Sequence, residues 1–100
     1  MILNTFEKQP AEVKDYDIDY APWLDAMGDT LNEIPLPVVE CLTDPDDTAL
    51  VCREVLHTTT LAKFWMVGGT PGNTYKLTAL AETVAGRTDE SELIFKIKDY

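Results

Sequence analysis

The last third of the chain most limits what it can fold into, because its side-chain character alternates with a period of two. Tyr75, Leu77, Ala79 and Ala81 alternate with Lys76, Thr78, Leu80 and Glu82. Beyond Ala85-Gly86-Arg87, Leu93, Phe95 and Ile97 alternate with Ile94, Lys96 and Lys98. Successive side chains of a strand point to opposite faces, so this spacing predicts two strands joined by a glycine-containing turn. Together they form an antiparallel hairpin. No helical spacing persists for more than two turns anywhere in the sequence. The chain is therefore expected to be all-β.

The rest of the sequence supplies further short strands. Tyr16, Ile18 and Tyr20 alternate with Asp15, Asp17 and Asp19, which predicts a half-buried strand with an acidic outer face. Ala21-Pro22-Trp23-Leu24-Asp25 follows as one helical turn, with Pro22 suited to the first helical position. Thr30–Glu33 and Val38–Leu42 read as short strands, with Pro35 and Pro37 confining that region to a sheet edge or bulge. Asp44-Pro45-Asp46-Asp47 is a turn, since aspartate side chains bond nearby backbone and proline fixes its own φ. Leu50–His57 and Ala62–Val67 have strand composition, and Gly68-Gly69-Thr70-Pro71-Gly72-Asn73 is the sharpest loop. Phe6–Pro10 reads as an extended arm, because Pro10 disfavours helix in the residue before it. Six or seven strands in 100 residues make an antiparallel β-sandwich of a single domain. Residues 1–24 would hold the arm and first strand, with residues 25–100 as the body.

Charge narrows the partners. Eighteen acidic against eight basic residues give a net charge of −10. All of that excess lies in residues 1–50, which hold twelve acids and two bases. So acidic a chain repels phosphate backbones, which argues against nucleic-acid binding. Apolar runs such as Phe64–Val67 fall far short of the roughly 20 residues needed to cross a bilayer. Glu7 and Lys8 interrupt any secretory signal pattern, so neither membrane insertion nor secretion is expected. Cys41 and Cys52 are eleven apart, which is not redox-motif or zinc spacing, and two buried thiols in a reducing compartment are expected.

Candidates for chemistry are thin. His57 is the only histidine and Ser91 the only serine, and neither stands in a nucleophile motif. The glycine-rich loop lacks the Lys-Ser/Thr of a phosphate cradle. Asp44, Asp46 and Asp47 lack the calcium-loop spacing, so no metal and no cofactor are expected. Three aspartates along one strand do not make the carboxylate pair of a glycosidase. No enzyme is expected.

Aromatic residues are the more informative group. Phe6, Tyr16, Tyr20 and Trp23 concentrate in the first quarter, beside Leu24. Trp23 has two readings, core filler or anchor on another protein, because tryptophan and tyrosine are favoured at interfaces. Tyr16, Tyr20, Trp23 and Leu24 are the candidate docking residues. Trp65 reads as a core aromatic. Tyr75, at a strand start after the glycine loop, is placed like the tyrosine corner of Greek-key sandwiches.

The segment Glu7-Lys8-Gln9-Pro10-Ala11-Glu12-Val13-Lys14-Asp15-Tyr16-Asp17-Ile18-Asp19-Tyr20-Ala21-Pro22-Trp23-Leu24 resembles the opening of small structural proteins of tailed bacteriophages. Gly68-Gly69-Thr70-Pro71-Gly72-Asn73-Thr74-Tyr75 and the Ala85-Gly86-Arg87-Thr88-Asp89 turn resemble two later elements of those proteins. Tyr20 stands where their pattern prefers tryptophan, and Thr30–Leu61 agrees only in character. The resemblance implies an immunoglobulin-like fold, no catalytic residue, and a place in the virion after assembly in the host cytoplasm. It implies phage capsid or neck and tail proteins as partners, with self-association possible. The leading expectation is a decoration or head-fibre subunit on the capsid exterior. The alternatives are a neck, tail or fibre-attachment component, a carbohydrate-binding module presenting Trp65 or Tyr75, and an acidic inhibitor that mimics DNA.

Overall fold

The computed structural model describes all 100 residues. Eight strands and one short helix follow in the order β1 (Ile2–Lys8), β2 (Val13–Asp19), α1 (Ala21–Met27), β3 (Leu31–Glu33), β4 (Val38–Cys41), β5 (Leu50–His57), β6 (Leu61–Gly68), β7 (Thr74–Thr83) and β8 (Thr88–Ile97). One sheet runs β1-β8-β7-β3, with β4 also paired to β7, and the other runs β2-β6-β5. The all-β sandwich expected from the alternating spacing is the observed architecture.

The β7–β8 hairpin forms its spine. Tyr75 pairs with Phe95 and Leu77 with Leu93, so the apolar residues of both strands share the inner face. Ala62, Phe64 and Met66 of β6 are fully buried with them, beside Ile18 of β2 and Leu50 and Cys52 of β5. The small side chains of Ala79 and Ala81 are also fully buried. Helix α1 carries the chain from the sheet of β2 to the sheet of β3. It has Pro22 in its first turn, drops Leu24 into the core, and ends at Gly28, whose φ of 65° lets its N–H return to Asp25 O and Leu24 O.

The N-terminal segment differs from the expected arm. Residues 2–8 are extended, but they form an edge strand, and β1 runs parallel to β8 with Asn4–Lys8 beside Leu93–Ile97. Packing explains why it is held. The Phe6 ring sits 4.7 Å from Tyr16 and 5.6 Å from Phe95, and Tyr16 meets Phe95 edge-on at 4.9 Å. This aromatic group joins β1, β2 and β8 across both sheets. Lys8 is buried, and its ammonium donates to Gln9 O at 2.9 Å and Gly68 O at 2.6 Å. The turn that follows closes through Gln9 N–H on Glu12 Oε1 at 2.7 Å, and the chain then enters the opposite sheet as β2. The added β1 accounts for eight strands where six or seven were expected.

Trp65 also departs from expectation. It alternates with the buried Phe64 and Met66, so it lies on the outer face of its sheet, only partly buried. Arg53 sits over its ring at 5.5 Å from the centroid. Tyr75, by contrast, is fully buried. Its hydroxyl accepts from Thr70 N–H, five residues upstream, at 2.9 Å and donates to Asp47 Oδ2 at 2.6 Å. The tyrosine-corner placement and the Asp44–Asp47 turn thus meet at one hydrogen bond.

Candidate docking surface

The four candidate docking residues separate by depth. Leu24 is 0% exposed and Tyr20 4%, and both belong to the core. Leu24 is thus corrected to a core residue, while Tyr20 reaches the surface only as a lining residue of the groove described next. Leu24 faces inward from α1 because a seven-residue helix lying on a sandwich must bury one face. Tyr16 is half-buried in the aromatic group under β1. Trp23 is also half-buried and packs against the core, with its ring centroid 6.3 Å from that of Tyr20.

Trp23 forms one wall of a groove of about 200 Å³. Met1 and Leu3 of the β1 segment, Ile18 of β2, and Pro22 and Trp23 of α1 make it apolar, while Tyr20, Asp19, Asp89 and Ser91 supply polar atoms. Nothing in the sequence joined Met1, Leu3, Asp89 and Ser91 to Trp23. They arrive through the parallel β1–β8 pairing, in which Glu92 N–H donates to Met1 O at 2.9 Å across strands ninety residues apart in the chain. No local pattern announces such a pair.

The polar groups of this groove are unevenly satisfied. Asp19 Oδ1 accepts from Ala21 N–H at 2.9 Å, and Ser91 Oγ donates to Asp89 Oδ2 at 2.6 Å. Neither carboxylate has a cationic partner among the ion pairs of the chain. The Tyr20 hydroxyl is buried and has no hydrogen-bond partner at all. Burial, and secondarily the negative charge of Asp89, hold that hydroxyl well above the usual phenol range, so it stays protonated at neutral pH. Buried hydroxyls normally find a partner.

Of the remaining candidates only Ser91 lines this groove, and the others are placed apart from it. His57 is exposed at the end of β5, with Nδ1 2.7 Å from Thr58 O, while Ser91 is buried in β8 of the other sheet. Asp44 Oδ1 and Asp47 Oδ1 accept from Asp46 and Ala49 N–H, so those carboxylates are used in closing their turn. No three His, Cys, Asp or Glu side chains are grouped to hold a metal ion. Burial removes Tyr75 as a sugar-stacking platform, and Arg53 covers one face of Trp65. Cys41 and Cys52 are both free and buried, as expected.

Comparison with known families makes this two-sheet sandwich a structural protein of a tailed phage. Residues 8–96 match the family described as podophage GP4 fiber-tail adaptor protein gp77, and the chain belongs to that family. The matched range takes in Tyr20, Trp23, Asp89 and Ser91 and begins after Met1 and Leu3. A search of curated proteins found no match.

Proposed function

We propose that this chain is a non-enzymatic adaptor of the virion that joins a fibre to the phage tail, and that the Trp23 groove docks one of those two partners. The family match over residues 8–96 carries the reading, since the family is described as a fiber-tail adaptor. It favours the tail-and-fibre alternative over a decoration role on the capsid exterior. The groove adds a physical reason: an amphipathic aromatic beside apolar residues is the usual make-up of an interface anchor. The acidic first half suits a partner with a basic surface, because opposite charge speeds encounter and fixes orientation.

The test is complementation of a phage that lacks this protein with Trp23→Ala, with the exposed-rim variant Leu3→Lys, or with Trp65→Ala. Purified particles are then assayed for this protein and for fibres. The two groove variants are expected to lose fibres while Trp65→Ala particles keep them. Particles carrying normal fibre content with both groove variants would rule out this groove as the docking site. Thermal melting of each isolated variant separates loss of docking from loss of folding.

A further inference from the structure

We propose that the Trp23 groove receives the guanidinium of an arginine side chain projected by the docking partner. The inference deepens the docking role given above and rests on it. Its volume of about 200 Å³ lies below the ~300–1,000 Å³ typical of small-molecule pockets, so it suits a single long side chain. The chemistry of the lining selects which one.

Three kinds of group converge there. Apolar walls from Leu3, Pro22 and Trp23 match the arginine stem, and the Trp23 ring offers a face for a planar cation. Asp19 and Asp89 bring two carboxylates without a cation of their own. The only positive group among the lining residues is the Met1 ammonium, and it is taken by Glu92 Oε2 at 2.5 Å. The third is Tyr20, a lining residue only 4% exposed, whose buried hydroxyl has no hydrogen-bond partner within the chain. A guanidinium has five N–H donors in one plane and no acceptor, so a single group can serve both carboxylates and the hydroxyl. Lone acidic clusters are ordinary solvated surface. A groove that adds an aromatic wall and a residue with a buried, unpartnered hydroxyl to two cation-free carboxylates is not.

Two-dimensional NMR of the intact chain tests this with N-acetyl-arginine amide as the probe and N-acetyl-citrulline amide, its neutral isostere, as the control, at matched ionic strength. The chain has two indole N–H signals, and that of Trp65, which already carries Arg53, is the internal reference. The arginine probe is expected to move the Trp23 indole and the Tyr20 and Asp89 amides saturably, with Trp65 unmoved. The citrulline probe and the Asp89→Asn and Asp19→Asn variants should each weaken that response about fivefold. Equal response to both probes, equal movement of the two indoles, or no response would overturn the proposal. Retained signal dispersion in the Asn variants establishes that they fold. The docking role is judged separately by fibre content of the particles, so an arginine-insensitive groove with fibre loss on Trp23→Ala removes the guanidinium and leaves docking intact.

Discussion

The Tyr75 hydroxyl donates to Asp47 Oδ2 at 2.6 Å, a bond between residues 28 apart that ties the start of β7 to the turn before β5. Asn73 Nδ2 donates to the same oxygen at 2.8 Å, and Thr70 N–H donates to the Tyr75 oxygen. The long β6–β7 loop is therefore held from inside. Tyr75→Phe keeps the ring in the core and removes only the hydroxyl, leaving Thr70 N–H and one Asp47 lone pair without a partner. The expected loss is about 1–3 kcal/mol. Thermal melting should show a drop of ~4–8 °C for each kcal/mol, and an unchanged midpoint would mean that water replaces the hydroxyl at no cost.

Acid should loosen the molecule through two aspartates. Hydrogen bonds led by the Thr83 hydroxyl, and also from Thr30 N–H, Arg87 and Ala85 N–H, hold Asp29 down from 3.8 to about 2. Tyr75, Ala49 N–H and further donors hold Asp47 low in the same way. Because the folded values lie below the unfolded ones, these carboxylates stabilise the fold fully above about pH 4. That contribution is lost as the pH falls from 3.8 towards 2. Denaturant melts at stepped pH should show a steep decline in this window, and Asp29→Asn should make the decline shallower while lowering stability at pH 7. An identical acid limb in the variant would refute the assignment.

Two glycines of similar φ should respond differently to alanine. At Gly68, φ is +84° and a Cβ would lie 2.3 Å from Ala49 O, whereas Gly86 has φ +92° and open space around it. Gly86→Ala meets only the left-handed backbone penalty, about 1–2 kcal/mol. Gly68→Ala adds a backbone collision and should cost at least about 2 kcal/mol more, since overpacking alone costs ~1–3 kcal/mol. Chemical denaturation of the pair decides it, and equal losses would mean that the β5–β6 junction yields easily.

Phe6→Ala probes whether β1 is held by its ring contacts. Phe6 is half-buried, so the expected cost is about 1–3 kcal/mol, below the 3–5 kcal/mol of a fully buried phenylalanine. Amide exchange should accelerate at Thr5–Lys8 more than in the β7–β8 ladder. Uniform acceleration throughout would show that β1 opens only with the whole sandwich.

The sequence disclosed those parts of the fold whose determinants are local. The β7–β8 hairpin is legible because one phase of each strand is wholly apolar, from Tyr75 to Ala81 and from Leu93 to Ile97. Leu80 and Ile94 are the only large apolar residues in the other phase. Helix α1 is legible because Pro22 and Leu24 sit where a short helix needs them. Two features were not. Phe6 pairs in register with Phe95, and no local pattern reveals a parallel partner at the far end of the chain. In β6, both phases are apolar apart from Lys63, so periodicity does not choose between them. Lys63 shares the phase of Trp65, which was the available signal that Trp65 faces outward. The candidate site was legible to the same extent. Trp23 could be singled out as an aromatic on a short helix, while Leu3 and Asp89 reached it only through the parallel pairing.

That pairing also governs how the molecule carries load. Met1 lies beside Glu92 at one end of the β1–β8 pair, and Lys98 N–H donates to Lys8 O at the other, at 2.9 Å. The two ends of the chain therefore leave in opposite directions. Tension between them slides β1 along β8 and strains the rungs of that ladder together, in shear, instead of peeling them apart one at a time.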